Sequence, residues 1–204
     1  MLRFVLPLLA CCLCLPPAIR PAVPEEARSL AARIRQARAA KDSLLRNSPD
    51  SPVPAKERAG FRGLVYYPVD PRYRLVGELH RYGRAQVIQV PTSAGTQLAM
   101  EKHGRFRGML LGKPLELEVY RSTENGELVV LFKDRTNGGN TYGGGRYAPV
   151  SDLGNGRYLL DLNMAYNPYC AYSPDFVCPL PPLQNRLAVP IEAGEKVPGP
   201  DLAH

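Results

Sequence analysis

Leu115-Glu116-Leu117-Glu118-Val119-Tyr120, then Thr123-Glu124-Asn125-Gly126, then Leu128-Val129-Val130-Leu131-Phe132 is the stretch that decides the fold. In an extended chain successive side chains point to opposite faces, so Leu115, Leu117 and Val119 share one face and Glu116 and Glu118 the other. The run from Leu128 to Phe132 is continuously apolar, the pattern of a strand covered on both faces. Asn-Gly between them tolerates the positive φ of a tight turn, so the three pieces read as a β-hairpin.

Outward from this hairpin, strands are expected at Arg74 to His80, Ala85 to Val90, Thr96 to Glu101, Arg105 to Leu111, Arg157 to Met164 and Leu187 to Ile191. Glycines at 83, 95, 104, 112, 154 and 156 punctuate them. With 21 Pro and 18 Gly in 204 residues, short strands and many turns are favoured over long helices. The fold class is mainly β, an antiparallel sandwich, roll or barrel with one N-terminal helix. The length suits one domain.

Upstream, residues 1–22 read as a signal peptide. Arg3 supplies the positive charge, and Phe4 to Leu15 forms an apolar run too short to cross a bilayer. Leu8-Leu9-Ala10-Cys11 resembles a lipobox, with Cys11 as the lipidation candidate. Ordinary cleavage near Ala18 or Ala22 is the alternative. The chain is therefore expected to be exported, as a periplasmic or membrane-anchored lipoprotein or a secreted protein. Residues 23–46 have helical composition, with a thin apolar stripe of Leu30, Ile34, Ala37 and Leu44 or Leu45 that packs on a sheet or belongs to a loosely attached arm. Residues 47–60 form a Pro-rich linker, 61–196 the β-rich domain and 197–204 a flexible tail; the whole stretch from Ala193 to His204 is expected to be loosely held.

The net charge is +7. Arg28, Arg33, Arg35, Arg38, Lys41 and Arg46 concentrate on the helix, where they suit an anionic membrane surface or form a solvated face. No nucleic-acid motif accompanies them. In an oxidising compartment Cys170 and Cys178 form a disulfide candidate. Their spacing does not suit zinc and no calcium loop is present, so no metal or cofactor is expected.

Chemistry concentrates between Lys133 and Asn185. The Gly-rich segment 133–147 lacks the Lys-Ser/Thr of a phosphate loop and reads as a wide β-connection. On the strand expected through Met164, Asp161 and Asn163 would stand on one face, with Leu160, Leu162 and Met164 on the other. The long Pro- and Tyr-rich segment that follows is too aromatic for disorder. Asp134, Tyr142, Arg146, Asp161, Asn163, Tyr166, Asn167, Tyr172 and Asn185 are the candidate ligand-binding residues, expected to converge on one end of the sheet. Phenols, amides, carboxylates and a guanidinium suit a small polar ligand. Three alternatives use the same region: a hydrolase with Asp134 and Asp161 as acid and base, a Cys170 nucleophile served by His80 or His103, and a purely structural hydrogen-bond network.

One resemblance is specific. Asp161-Leu162-Asn163-Met164-Ala165-Tyr166-Asn167-Pro168-Tyr169-Cys170-Ala171-Tyr172, Cys178-Pro179-Leu180-Pro181-Pro182, Asn185-Arg186-Leu187 and Ala193-Gly194-Glu195-Lys196 resemble the signature of the domain-of-unknown-function 1684 family. Phe132-Lys133-Asp134, Thr136-Asn137-Gly138, Thr141 through Tyr147 and Tyr67 through Pro71 match it too, and the likeness runs from Lys41 to Lys196. Leu162 stands where the family pattern has phenylalanine, a conservative core change. The resemblance implies a β-rich fold and frequent export, and no activity.

Overall fold

The computed structural model describes residues 24–122 and 125–199. The signal region with Cys11, the turn residues Thr123 and Glu124, and residues 200–204 lie outside it. Six strands, β1 (Arg74–Pro91), β2 (Gln97–Leu110), β3 (Lys113–Arg121), β4 (Leu128–Phe132), β5 (Arg146–Gly154) and β6 (Arg157–Asp161), form a closed barrel in sequence order. Every neighbouring pair is antiparallel, including β6 with β1. Closure gives every strand a partner on each side, although β3 and β4 pair only at Tyr120–Val129 and Arg121–Leu128.

The alternation in β3 is realised. Leu115, Leu117 and Val119 enter the barrel core with Phe106, Val130, Phe132, Ala148, Val150 and Leu160. Phe106 is fully buried there. Glu116 and Glu118 face outward, but Glu118 is covered, held by Tyr82 at 2.6 Å and Lys102 at 2.9 Å. β4 is apolar on both faces because Val129 and Leu131 join Val90, Met100 and Tyr120 in a second cluster outside the barrel.

Several expected boundaries change. The two strands expected between Arg74 and Val90 are one, bent by a bulge between Arg81 and Gln86, and those expected between Thr96 and Leu111 are also one. The distal parts of β1 and β2 form an arm that lies over the outer cluster. β6 stops at Asp161, and Leu162–Met164 is a 3-10 turn. Leu187 to Ile191 makes no strand; Leu187 and Val189 pack against the barrel core and Ile191 is fully buried in it. β5 was not expected, since it begins with an arginine that faces the core and carries Pro149, which lacks the N–H that a ladder uses.

The helix α1 (Glu25–Asn47) buries Leu30, Ile34 and Leu45 and leaves Leu44 exposed. Of the six basic residues on it, Arg38 and Lys41 are partly buried and Arg46, though exposed, folds back onto the chain. Arg38 donates to Tyr67 O (2.9 Å) and Asn163 O (3.0 Å), Lys41 reaches Glu195, and Arg46 donates to Phe61 O. The prolines end the helix after Asn47, and the following segment holds one helical turn, α2 (Ala55–Arg58).

The expectation of loose chain after Ala193 is corrected. Residues 193–197 are a strap. Tyr67 N donates to Gly194 O, Glu195 N to Ala165 O, Lys196 N to Val65 O and Val197 N to Asn140 O. Gly194 has φ +76°, and a Cβ there would lie 2.5 Å from Ala165 O, so both conformation and space demand glycine.

Candidate functional site: a cleft beside a closed polar network

The expected site residues do not form one open pocket. Four of them converge on the strap. Arg146, at the mouth of the barrel, is fully buried. Its Nη2 donates to Asp134 Oδ2 (2.9 Å) and Ile191 O (2.8 Å), and its Nη1 to Ala193 O (2.5 Å) and Glu195 O (3.0 Å). Asp134 Oδ1 accepts from Thr136 N, Thr136 Oγ1 and Ile191 N. Both carboxylate oxygens are therefore engaged, which removes Asp134 from acid–base work.

Asn167 and Tyr172 meet the other side of the strap. Glu195 Oε2 accepts from Asn167 N and from Tyr172 Oη, each at 2.7 Å, while Oε1 receives Lys41 Nζ at 2.5 Å. Burial and the adjacent carboxylate push the Tyr172 phenol well up, so it stays a proton donor.

The remaining residues sit elsewhere. Asn185 closes a gap where β3 and β4 splay. Its Oδ1 accepts from Glu118 N, and its Nδ2 donates to Glu118 O and Leu131 O, standing in for missing ladder bonds. Asp161 and Asn163 are not side by side on a strand; Asp161 Oδ1 accepts from Asn163 N and Nδ2 across the 3-10 turn. Asn163 also exchanges hydrogen bonds with the Asp70 backbone. Tyr142 points at Cys170, 3.5 Å from its carbonyl and 3.7 Å from its sulfur. Cys170 and Cys178 are thiols, with Cys170 N donating to Cys178 Sγ at 3.3 Å. His80 pairs with Glu78, and His103 is buried against Glu101 and Arg121, where burial lowers its pKa first and Arg121 second.

Open space lies next to this network. One cavity of about 360 Å³ separates the outer face of the barrel from the 166–179 segment; Leu98, Met100, Leu131, Tyr147, Phe176 and Val177 line it. A second, of about 380 Å³, lies between α1 and the barrel against Arg38, Lys41, Tyr66, Asn163 and Glu195. Glu127, Pro149, Tyr166 and Tyr169 line both, so the two adjoin; each combines apolar wall with charged side chains, Arg121 and Glu127 in the first and Arg38, Lys41, Glu127 and Glu195 in the second. Tyr166 is fixed between them by a mutual backbone bridge to Tyr147, an edge contact with its ring (5.7 Å between centroids) and Lys41 5.0 Å from the ring centre. Of the expected residues, Tyr166 and Asn163 line the cleft. Arg38, Lys41, Met100, Leu131, Tyr169 and Glu195 also line it and are not among the candidate ligand-binding residues, Arg38 and Lys41 being read as part of the basic helix face. Glu195 had a detectable signal, an acid directly after glycine in a Pro-rich tail.

Residues 59–196 match the model of a family described as a protein of unknown function, DUF1684. The chain belongs to that family. Its DUF1684 region contains the barrel, the strap and most of the cleft, while Arg38 and Lys41 come from the helix before it. An uncharacterised protein of Haloarcula marismortui, solved by solution NMR, is similar at 33% identity with a TM-score of 0.66, over 84% of this chain and 96% of that one. No curated protein matches. Among the described residues of this DUF1684 protein, no group of three or more His, Cys, Asp or Glu is placed to hold a metal ion, and no helix is long and apolar enough to cross a membrane.

Proposed function

We propose that the chain is a binding protein for a small amphipathic organic molecule held in the cleft around Tyr166 and Tyr169. The observation that carries this reading is the pair of adjoining cavities, each lined by both apolar and charged side chains and each within the size range of small-molecule pockets. An apolar or aromatic body suits the wall made by Met100, Leu131 and Phe176. Three cationic side chains on the lining (Arg38, Lys41 and Arg121) against two carboxylates (Glu127 and Glu195) favour an anionic head group.

Anilinonaphthalene sulfonate, an aromatic anion, is a direct probe. Titrated into the folded chain, it should give saturable fluorescence that weakens in Tyr169→Ala and Leu98→Lys, two changes at exposed cleft positions. Equal binding by both variants would reject the site.

The leader-like residues 1–22 and the exposed Arg28, Arg33 and Arg35 of α1 support delivery across a membrane and attachment to an anionic surface, with Cys11 as anchor. Loss of membrane association in Cys11→Ser, seen by cell fractionation, tests that part. A second reading, a structural envelope protein without ligand, draws support from the Asp134 carboxylate, whose two oxygens are both engaged, and from the Asn185 amide, bonded on both its oxygen and its nitrogen. The same titration separates the two.

A further inference from the structure

Cys170 and Cys178 are brought together by separate parts of the fold. Cys170 lies in a 3-10 turn, Tyr169–Ala171, under the Tyr142 hydroxyl. Cys178 is fastened to the tip of the arm, its N–H donating to Ser93 Oγ at 3.1 Å and its carbonyl accepting from Ser93 N at 2.9 Å. The backbone N–H of Cys170 points at Cys178 Sγ. The sulfurs differ in access: Cys178 is buried and Cys170 partly exposed. Cys178 also lines the cleft, in the cavity that holds Phe176 and Val177.

We propose that this pair is a reversible dithiol–disulfide site that exchanges with external disulfides, Cys170 being the attacking sulfur and Cys178 the resolving one. The Cys170 thiolate attacks one sulfur of a disulfide R–S–S–R. A Cys170–S–R bond forms, and the first R–S⁻ leaves and takes up a proton. Cys178 then gives its proton to solvent, its thiolate attacks Cys170 Sγ, and the second R–S⁻ departs. The two cysteines are oxidised and the external disulfide is reduced to two thiols. The closed bridge ties the turn at 170 to the arm and fixes the wall of the cleft between them.

The electrostatics agree with this division. A hydrogen bond from the Cys178 thiol, with further help from Tyr142, holds the Cys170 pKa down at about 6, while the same partnership and burial push Cys178 up. These shifts favour the thiolate on the partly exposed sulfur and the proton on the buried one.

The test treats the reduced full chain with oxidised glutathione and reads each cysteine by peptide-level mass spectrometry, which separates this pair from Cys11, Cys12 and Cys14. The wild type should close an intramolecular 170–178 bridge that dithiothreitol reopens. Cys178→Ser should accumulate glutathione on Cys170, and Cys170→Ser should leave Cys178 largely unmodified. A wild type that accumulates adducts without closing the bridge, or variants modified to the same extent, would overturn the assignment. A measurement on the wild type alone guards against a misfolded variant. Iodoacetamide should label Cys170 roughly tenfold faster than Cys178, with a rate that rises through pH of about 6. Faster labelling of Cys178 would also overturn it.

Discussion

Two of the covered ion pairs among the described residues, Arg146–Asp134 and Lys41–Glu195, each join a basic to an acidic side chain and have opposite surroundings. Arg146 and Asp134 are both 0% exposed as side chains and are enclosed by backbone carbonyls and by Phe132. Lys41 and Glu195 are 29% and 2% exposed and border an open cavity. The first pair fills the mouth of the barrel and binds the strap to it. The second pins α1 to the strap and supplies charged groups to the wall of a cleft. Residue type is therefore a poor guide to where a ligand goes; access of solvent to the charged group separates a structural pair from one at a site.

The largest expected effect breaks the closed pair. Asp134→Ala leaves the Arg146 charge buried without its partner, and unfolding free energy in urea should fall by about 3–5 kcal/mol. Glu195→Gln keeps shape but removes the charge that Lys41, Tyr172 and Asn167 share. A loss of about 2 kcal/mol is expected, together with faster amide hydrogen exchange in α1. An unchanged exchange rate there would mean that the helix is held without this pair. Tyr172→Phe removes one donor to a buried carboxylate and should cost about 1.5 kcal/mol, read from the same urea curves. Tyr169→Ala lies at the small end. Tyr169 is 48% exposed, so stability should move by no more than about 0.5 kcal/mol while binding of anilinonaphthalene sulfonate weakens. A large stability loss in Tyr169→Ala would blur the distinction between the two regions.

Much of the barrel was legible because β3 and β4 obey simple rules. Alternation placed Leu115, Leu117 and Val119 inside, and the unbroken run from Leu128 to Phe132 announced cover on both sides. β5 was hidden for the reverse reason. Its inward positions begin with Arg146, whose charge is neutralised by Asp134, a residue that only the tertiary fold brings beside it. The strap looked like a tail because its Pro- and Gly-rich composition resembles one, and its order comes from hydrogen bonds to residues 65–67, 140 and 165, which no local pattern encodes. The Tyr- and Pro-rich segment was correctly marked as ordered. The cleft beneath it was not legible, since it joins the helix, the arm and the outer barrel face, all distant in sequence. The basic helix misled most. Its arginines and lysine read as one population, yet Arg38, Lys41 and Arg46 serve docking while Arg28, Arg33 and Arg35 face solvent.

The most direct measurement is amide correlation NMR of the folded chain during titration with anilinonaphthalene sulfonate. The account predicts shift changes gathered around Leu98, Met100, Tyr166, Tyr169 and Lys41, with the amides of Asp134, Arg146 and Asn185 unmoved. Changes centred on the Asp134–Arg146 pair, with the cleft silent, would contradict it.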